Sequence, residues 1–170
     1  KRALEARFEK FSLSLNLDKT HLLEFGRFAR KDRKQKKQGK PETFDFLGFT
    51  HICSSRRSDG GFTVKRHTIA KKMTAKLKVI RQRLYEYRHK DIYQIGRWLR
   101  SVARGHNNFY AVPGNLWAIN QFCTEVCRSW LRALRRRGQR HPISWKKLTK
   151  VIIFHVISLI FMLFHSFSCY

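Results

Sequence analysis

Positive charge constrains this chain more than any other property of its sequence. Its 170 residues carry 37 Lys and Arg against 11 Asp and Glu, a formal net charge of +26. Charge of that size repels itself and disfavours a compact state unless a polyanion relieves it. A hydrophobic content of 42% still provides material for a core, and the length suits one modest domain or two small ones. Nucleic acid fits such a surface best, through phosphate neutralisation and counterion release. An anionic membrane surface and a merely solvated basic surface are the other readings of charge alone.

The apolar material is concentrated. Residues 40–50 read KPETFDFLGFT, with Phe44, Phe46, Leu47 and Phe49 around Gly48. A short aromatic run beside a glycine predicts a half-buried strand where another backbone comes close. Before it, Leu4, Phe8 and Phe11 recur at helical spacing. Leu13, Leu15 and Leu17 then alternate with polar residues, which predicts a strand. A second apolar strand is expected over residues 21–28, joined to the first through the Asn- and Asp-bearing turn at residues 16–20. Residues 27–40 hold eight basic residues and one Asp with no apolar period, which predicts a solvated, mobile loop. After the aromatic run, Asp59, Gly60 and Gly61 tolerate positive φ and predict a hairpin whose return strand holds Phe62 and Val64.

The second half is helical by period. Thr68 is the expected N-cap of a helix running through His89, with Met73, Leu77, Ile80, Leu84 and Tyr87 in one stripe and Lys or Arg on the other faces. Ile92, Ile95, Leu99, Val102 and His106 mark the next, ending near Phe109 and Tyr110. Pro113 and Gly114 suit a type II turn. Ile119, Phe122, Cys123, Val126, Cys127, Trp130, Leu131 and Leu134 then form a long stripe, and three such helices joined by short loops predict a small antiparallel bundle. Arg132, Arg135, Arg136, Arg137 and Arg140 crowd its last turns beyond what the helix dipole needs. Cys123 and Cys127 lack two further ligands at zinc-site spacing and read as small core residues. Four irregularly placed cysteines are not a disulfide framework, and a reducing, cytoplasmic setting is expected.

Several separated motifs carry one resemblance. KPETFDFLGF closely resembles the segment after the palm in group II intron reverse transcriptases, where a β-hairpin with an FLG core forms the primer grip. FSLSLNLDKTHLLEFGRFA upstream is similar to the end of that palm. GRWLRSVARGHNNFYAVPGN and FCTEVCRSWLRALRRRGQR downstream are similar to the thumb and maturase region. The resemblance covers residues 1–150 and implies an α+β chain: the palm's end with its primer-grip hairpin over 1–66, and a thumb/maturase helical domain over 67–150. It implies that Phe46, Leu47, Gly48 and Phe49 grip the primer. The basic residues expected to contact RNA are Arg33, Lys34, Lys36, Lys37, Arg56, Arg57, Lys72, Lys76, Arg135, Arg136, Arg137 and Arg140. Lys19 corresponds to a lysine thought to assist pyrophosphate departure; facing water in its turn is the alternative.

The resemblance also implies RNA-directed DNA synthesis and help with intron splicing for the whole protein, with Mg2+ as cofactor. The metal-binding aspartates of that family lie in a Tyr-Ala-Asp-Asp motif, and Asp18, Asp32, Asp45, Asp59 and Asp91 offer no such pair. The chain therefore reads as a C-terminal fragment that does not polymerise alone, with intron RNA and template–primer as its partners. A stand-alone RNA-binding maturase module and an inactive remnant are the alternatives. Gly105-His106-Asn107-Asn108 resembles a His-Asn-His endonuclease in letters only. Residues 151–170 depart from the family: VIIFHVISLIFMLFHSFSCY is uncharged. Translation out of frame, a buried helix and a membrane anchor all fit it, the last making a membrane-tethered basic protein.

Overall fold

The computed structural model describes residues 2–16, 20–137, 144 and 146. In chain order these form α1 (Arg2–Glu9), α2 (Ala29–Gln35), β1 (Phe44–Phe46), β2 (Phe49–Ser55), β3 (Phe62–Thr68), α3 (Ala70–Glu86), α4 (Ile92–Tyr110) and α5 (Leu116–Arg135). The class is α+β, with one antiparallel sheet ordered β1-β2-β3. The described residues fall into two compact units. One is drawn from Lys1–Phe44 and His51–Lys65, the other from Asp45–Thr50 and Arg66–Tyr170.

The first unit corrects two expectations. Residues 13–16 and 20–28 hold no strand, Leu22 is 91% exposed, and Leu17 lies outside the described residues. Alternation alone does not make a strand, because every backbone N–H and C=O then needs a partner. Residues 20–28 are held by isolated bonds instead. The Glu24 N–H donates to Glu42 Oε2 at 2.8 Å, and the Gly26 N–H to Cys53 Sγ at 3.4 Å.

The second correction is at residues 27–40, where the expected loop contains α2. Arg, Lys and Gln are straight-chain residues that lose little rotamer freedom in a helix. Carboxylates offset their repulsion: Arg33 lies 3.4 Å from Glu24 and 3.7 Å from Glu42, and Lys36 lies 2.8 Å from Glu24. The helix ends in a Schellman motif. Lys37 takes φ +54, its N–H donates to the Lys34 carbonyl, and the Gln38 N–H reaches the Arg33 carbonyl at 2.8 Å.

The aromatic run is not one strand either. β1 stops at Phe46 and β2 begins at Phe49. Between them Leu47 and Gly48 take φ +46 and +87, the signs of the two-residue turn that matches strand twist. The second hairpin forms as expected. The Arg56 N–H donates to the Gly61 carbonyl at 2.8 Å, and Gly60 takes φ +68.

In the second unit α3, α4 and α5 share one core. Leu77, Ile80 and Leu84 come from α3, Ile95 and Leu99 from α4, and Ile119, Phe122, Val126, Trp130 and Leu134 from α5. Gly96 lets α4 come close to α5, since a Cβ there would stand 3.2 Å from Trp130 Cη2. Asp91 caps α4 by accepting the Gln94 N–H at 3.1 Å. Thr68 does not cap α3. It ends β3, and Ile69 occupies the cap position without a side-chain bond. The Thr68 hydroxyl is engaged by Asn115 instead, at 2.8 Å.

Candidate nucleic-acid interface

The turn between β1 and β2 divides the four expected grip residues. Phe46 and Leu47 are 58% and 70% exposed, whereas Phe49 is buried. Phe49 stacks on Phe109 with ring centroids 5.8 Å apart and meets Tyr110 edge-on at 5.2 Å. The Gly48 carbonyl accepts the Ile69 N–H at 3.1 Å. A Cβ on Gly48 would lie 3.0 Å from the Tyr110 hydroxyl. The end of α4 thus backs the turn and leaves an apolar tip outside.

The structure distributes the expected RNA-contacting residues widely. Arg33 and Lys36 are engaged by Glu24, while Lys34 and Lys37 are exposed beside them. The Lys36–Glu24 hydrogen bond holds the Glu24 carboxyl below its usual range and raises the Lys36 ammonium. Arg56 pairs with Asp59 at 2.8 Å, and Arg57 is exposed. Lys72 and Lys76 line a 390 Å³ hollow with Val102, His106 and Tyr110. Arg137 turns inward and donates to the carbonyls of Tyr87 and Lys90, which closes the C-terminal end of α3. Arg135 and Arg136 are exposed at the end of α5. Lys19, Arg140 and the apolar tail 151–170 lie outside the described residues.

A cleft in the second unit lies between α3 and α5, with a volume of about 580 Å³. Leu84 and Ala133 are among its apolar lining, and Arg81, Arg88, Arg132 and Arg136 are among its basic residues. Glu125 organises one side. It stands 2.7 Å from Arg128, 3.6 Å from Arg81 and 3.7 Å from Arg132. Arg81 Nε also donates to the Ser129 hydroxyl at 3.4 Å. Opposite-charge spacing along α5 places Arg128 one turn from Glu125. Just past α3 the Arg88 guanidinium lies over the Tyr85 ring at 4.7 Å. Sequence reasoning gathered the arginines of α5 but missed Tyr85, Glu125 and Ser129. Their signal was the spacing 81, 84, 85 on α3 and 125, 129, 132 on α5. Each set shares a face, and only packing brings the two faces together.

The other chemistry-bearing side chains are structural. His106 stacks on Phe122 at 3.6 Å. Burial, aided by the positive charge of Lys76, lowers its pKa to about 4. Asn107 and Cys123 contact each other in the core. Burial, with the neighbouring Cys123, pushes the Cys127 thiol up to about 11. Among the described residues no three His, Cys, Asp or Glu side chains come together as ligands for a metal ion. The described residues do not form a site for the Mg2+ that the resemblance implies, and no metal-dependent step is assigned to them.

Comparison with protein-family models, with curated proteins and with solved structures finds no match to this chain. Among the described residues no helix is long and apolar enough to cross a membrane.

Proposed function

We propose that this chain is the C-terminal portion of a group II intron reverse transcriptase/maturase and that its own task is to bind nucleic acid. In this reading α3, α4 and α5 form the basic thumb/maturase bundle, antiparallel and laid along intron RNA or the template–primer. The Phe46–Leu47–Gly48–Phe49 turn is the primer grip. The observation that carries the reading is the α3–α5 cleft, where arginines from two helices converge on one carboxylate and keep an excess of positive charge. Phosphate is the ligand that most readily satisfies such a set. DNA synthesis and splicing belong to the full-length protein, whose palm carboxylates and Mg2+ this chain does not supply.

The test is RNA binding by the full chain across a salt series. Affinity is expected to fall steeply with salt. The triple variant Lys72→Ala, Lys76→Ala, Arg136→Ala changes exposed side chains only. It should lower the log–log slope by about 2. An affinity indifferent to salt overturns the reading. Primer extension after mixing with a separate palm would add the enzymatic half.

A further inference from the structure

The α3–α5 cleft has a chemistry more specific than a basic surface. Its lining combines the partly exposed Ala133 over the buried Leu84, the Tyr85–Arg88 pair, and the arginines beside Glu125. We propose that the cleft takes a single unpaired nucleotide of a bound RNA strand. Its base stacks on the Tyr85–Arg88 pair, and its phosphate sits on the guanidiniums of Arg132 and Arg136. The proposal rests on the nucleic-acid reading above and names the form of nucleic acid that this site selects.

Three features favour that ligand. Tyr85 is 56% exposed, so an aromatic ring stands at the cleft with area to offer. Nucleobases stack on aromatic rings and on guanidinium planes, and only an unpaired base is free to do so. Glu125 faces Arg81, Arg128 and Arg132 together, so one negative charge orders three positive ones and leaves the cluster cationic. A volume of about 580 Å³ exceeds what a lone phosphate needs and falls in the range of small-molecule sites. An acidic peptide would use the guanidiniums but would leave the exposed Tyr85 ring unused.

The experiment measures binding of the full chain, at one salt concentration, to an RNA hairpin with one bulged nucleotide and to the same hairpin fully paired. The wild type should prefer the bulged hairpin. Tyr85→Ala should remove that preference, about fivefold or more, and leave the paired hairpin unaffected. Tyr85→Phe should retain it, which separates stacking from any general loss of fold. Glu125→Gln adds net positive charge, so bulk attraction alone would tighten both complexes. Loss of ordered guanidiniums instead weakens the bulged complex selectively. Equal wild-type affinity for the two hairpins, or an equal loss on both in Tyr85→Ala, overturns the inference while salt-dependent RNA binding still stands. Displacement of the bulged hairpin by a glutamate-rich peptide as readily as by free nucleotide also overturns it and assigns the cleft to an acidic protein segment. No binding to either hairpin at low salt removes both this inference and the function on which it rests.

Discussion

The side chain of Asn115 holds Thr68 by two hydrogen bonds. Its Oδ1 accepts the Thr68 N–H at 3.0 Å, and its Nδ2 donates to the Thr68 hydroxyl at 2.8 Å. The same amide donates to the Tyr110 carbonyl at 2.9 Å. One buried residue before α5 thereby joins the end of β3 to the end of α4.

Asn115→Ala leaves these partners unsatisfied in a site that is 1% exposed. The expected loss is about 2–3 kcal/mol of unfolding free energy, measured by urea denaturation. A loss near zero would mean that water replaces the amide.

Gly48 carries both backbone strain and a steric limit. Gly48→Ala puts a Cβ at φ +87 and 3.0 Å from the Tyr110 hydroxyl. It should cost about 1–2 kcal/mol. Adding Tyr110→Phe removes the nearest atom and should recover part of that cost. Strictly additive losses in a double-mutant cycle would show that the contact is unimportant.

Trp130 is 1% exposed and its Nε1 has no hydrogen-bond partner. Trp130→Ala should destabilise by about 3–5 kcal/mol. Trp130→Phe removes the unsatisfied donor with the ring edge nearest Gly96 and should cost less. Gly96→Ala should then be better tolerated in the Trp130→Phe background than alone, since helix propensity favours Ala by about 1 kcal/mol once the contact is relieved. Thermal melts of the four proteins decide this.

His106 makes stability depend on pH in a stated direction. Its folded pKa of about 4 lies below the ordinary value of 6.5, so the unfolded chain takes up the proton first. Its contribution is fully present above pH 6.5 and is lost as pH falls toward 4. A His106→Phe variant should flatten that limb of the denaturation-midpoint profile. An unchanged profile would place the acid transition elsewhere.

Helical period made the second unit legible. The stripes 77, 80, 84 on α3, 95, 99 on α4 and 119, 122, 123, 126, 130, 131, 134 on α5 are the buried residues of the core. The break between α4 and α5, with Gly114 at φ +86, was legible from Pro113-Gly114 because few residues adopt that conformation. The first unit was read less well. Alternation over 13–17 did not reveal that residues 13–16 form no strand. Charge at residues 27–40 hid α2, because Glu24 and Glu42, which offset it, lie outside the run.

What the sequence determined by itself is therefore local: helix faces, turn positions and an excess of positive charge. The tertiary structure decided which charges remain outward. Arg137 was drawn in to the carbonyls of Tyr87 and Lys90, and Arg33 to Glu24 and Glu42. It also brought Tyr85 on α3 and Arg88 just after it into one cleft with Arg132 on α5 and Arg136 at its C-cap. Periodicity places residues on a helix face, but the partner of that face is set by packing between segments more than forty residues apart in the chain, from Tyr85 to Arg132.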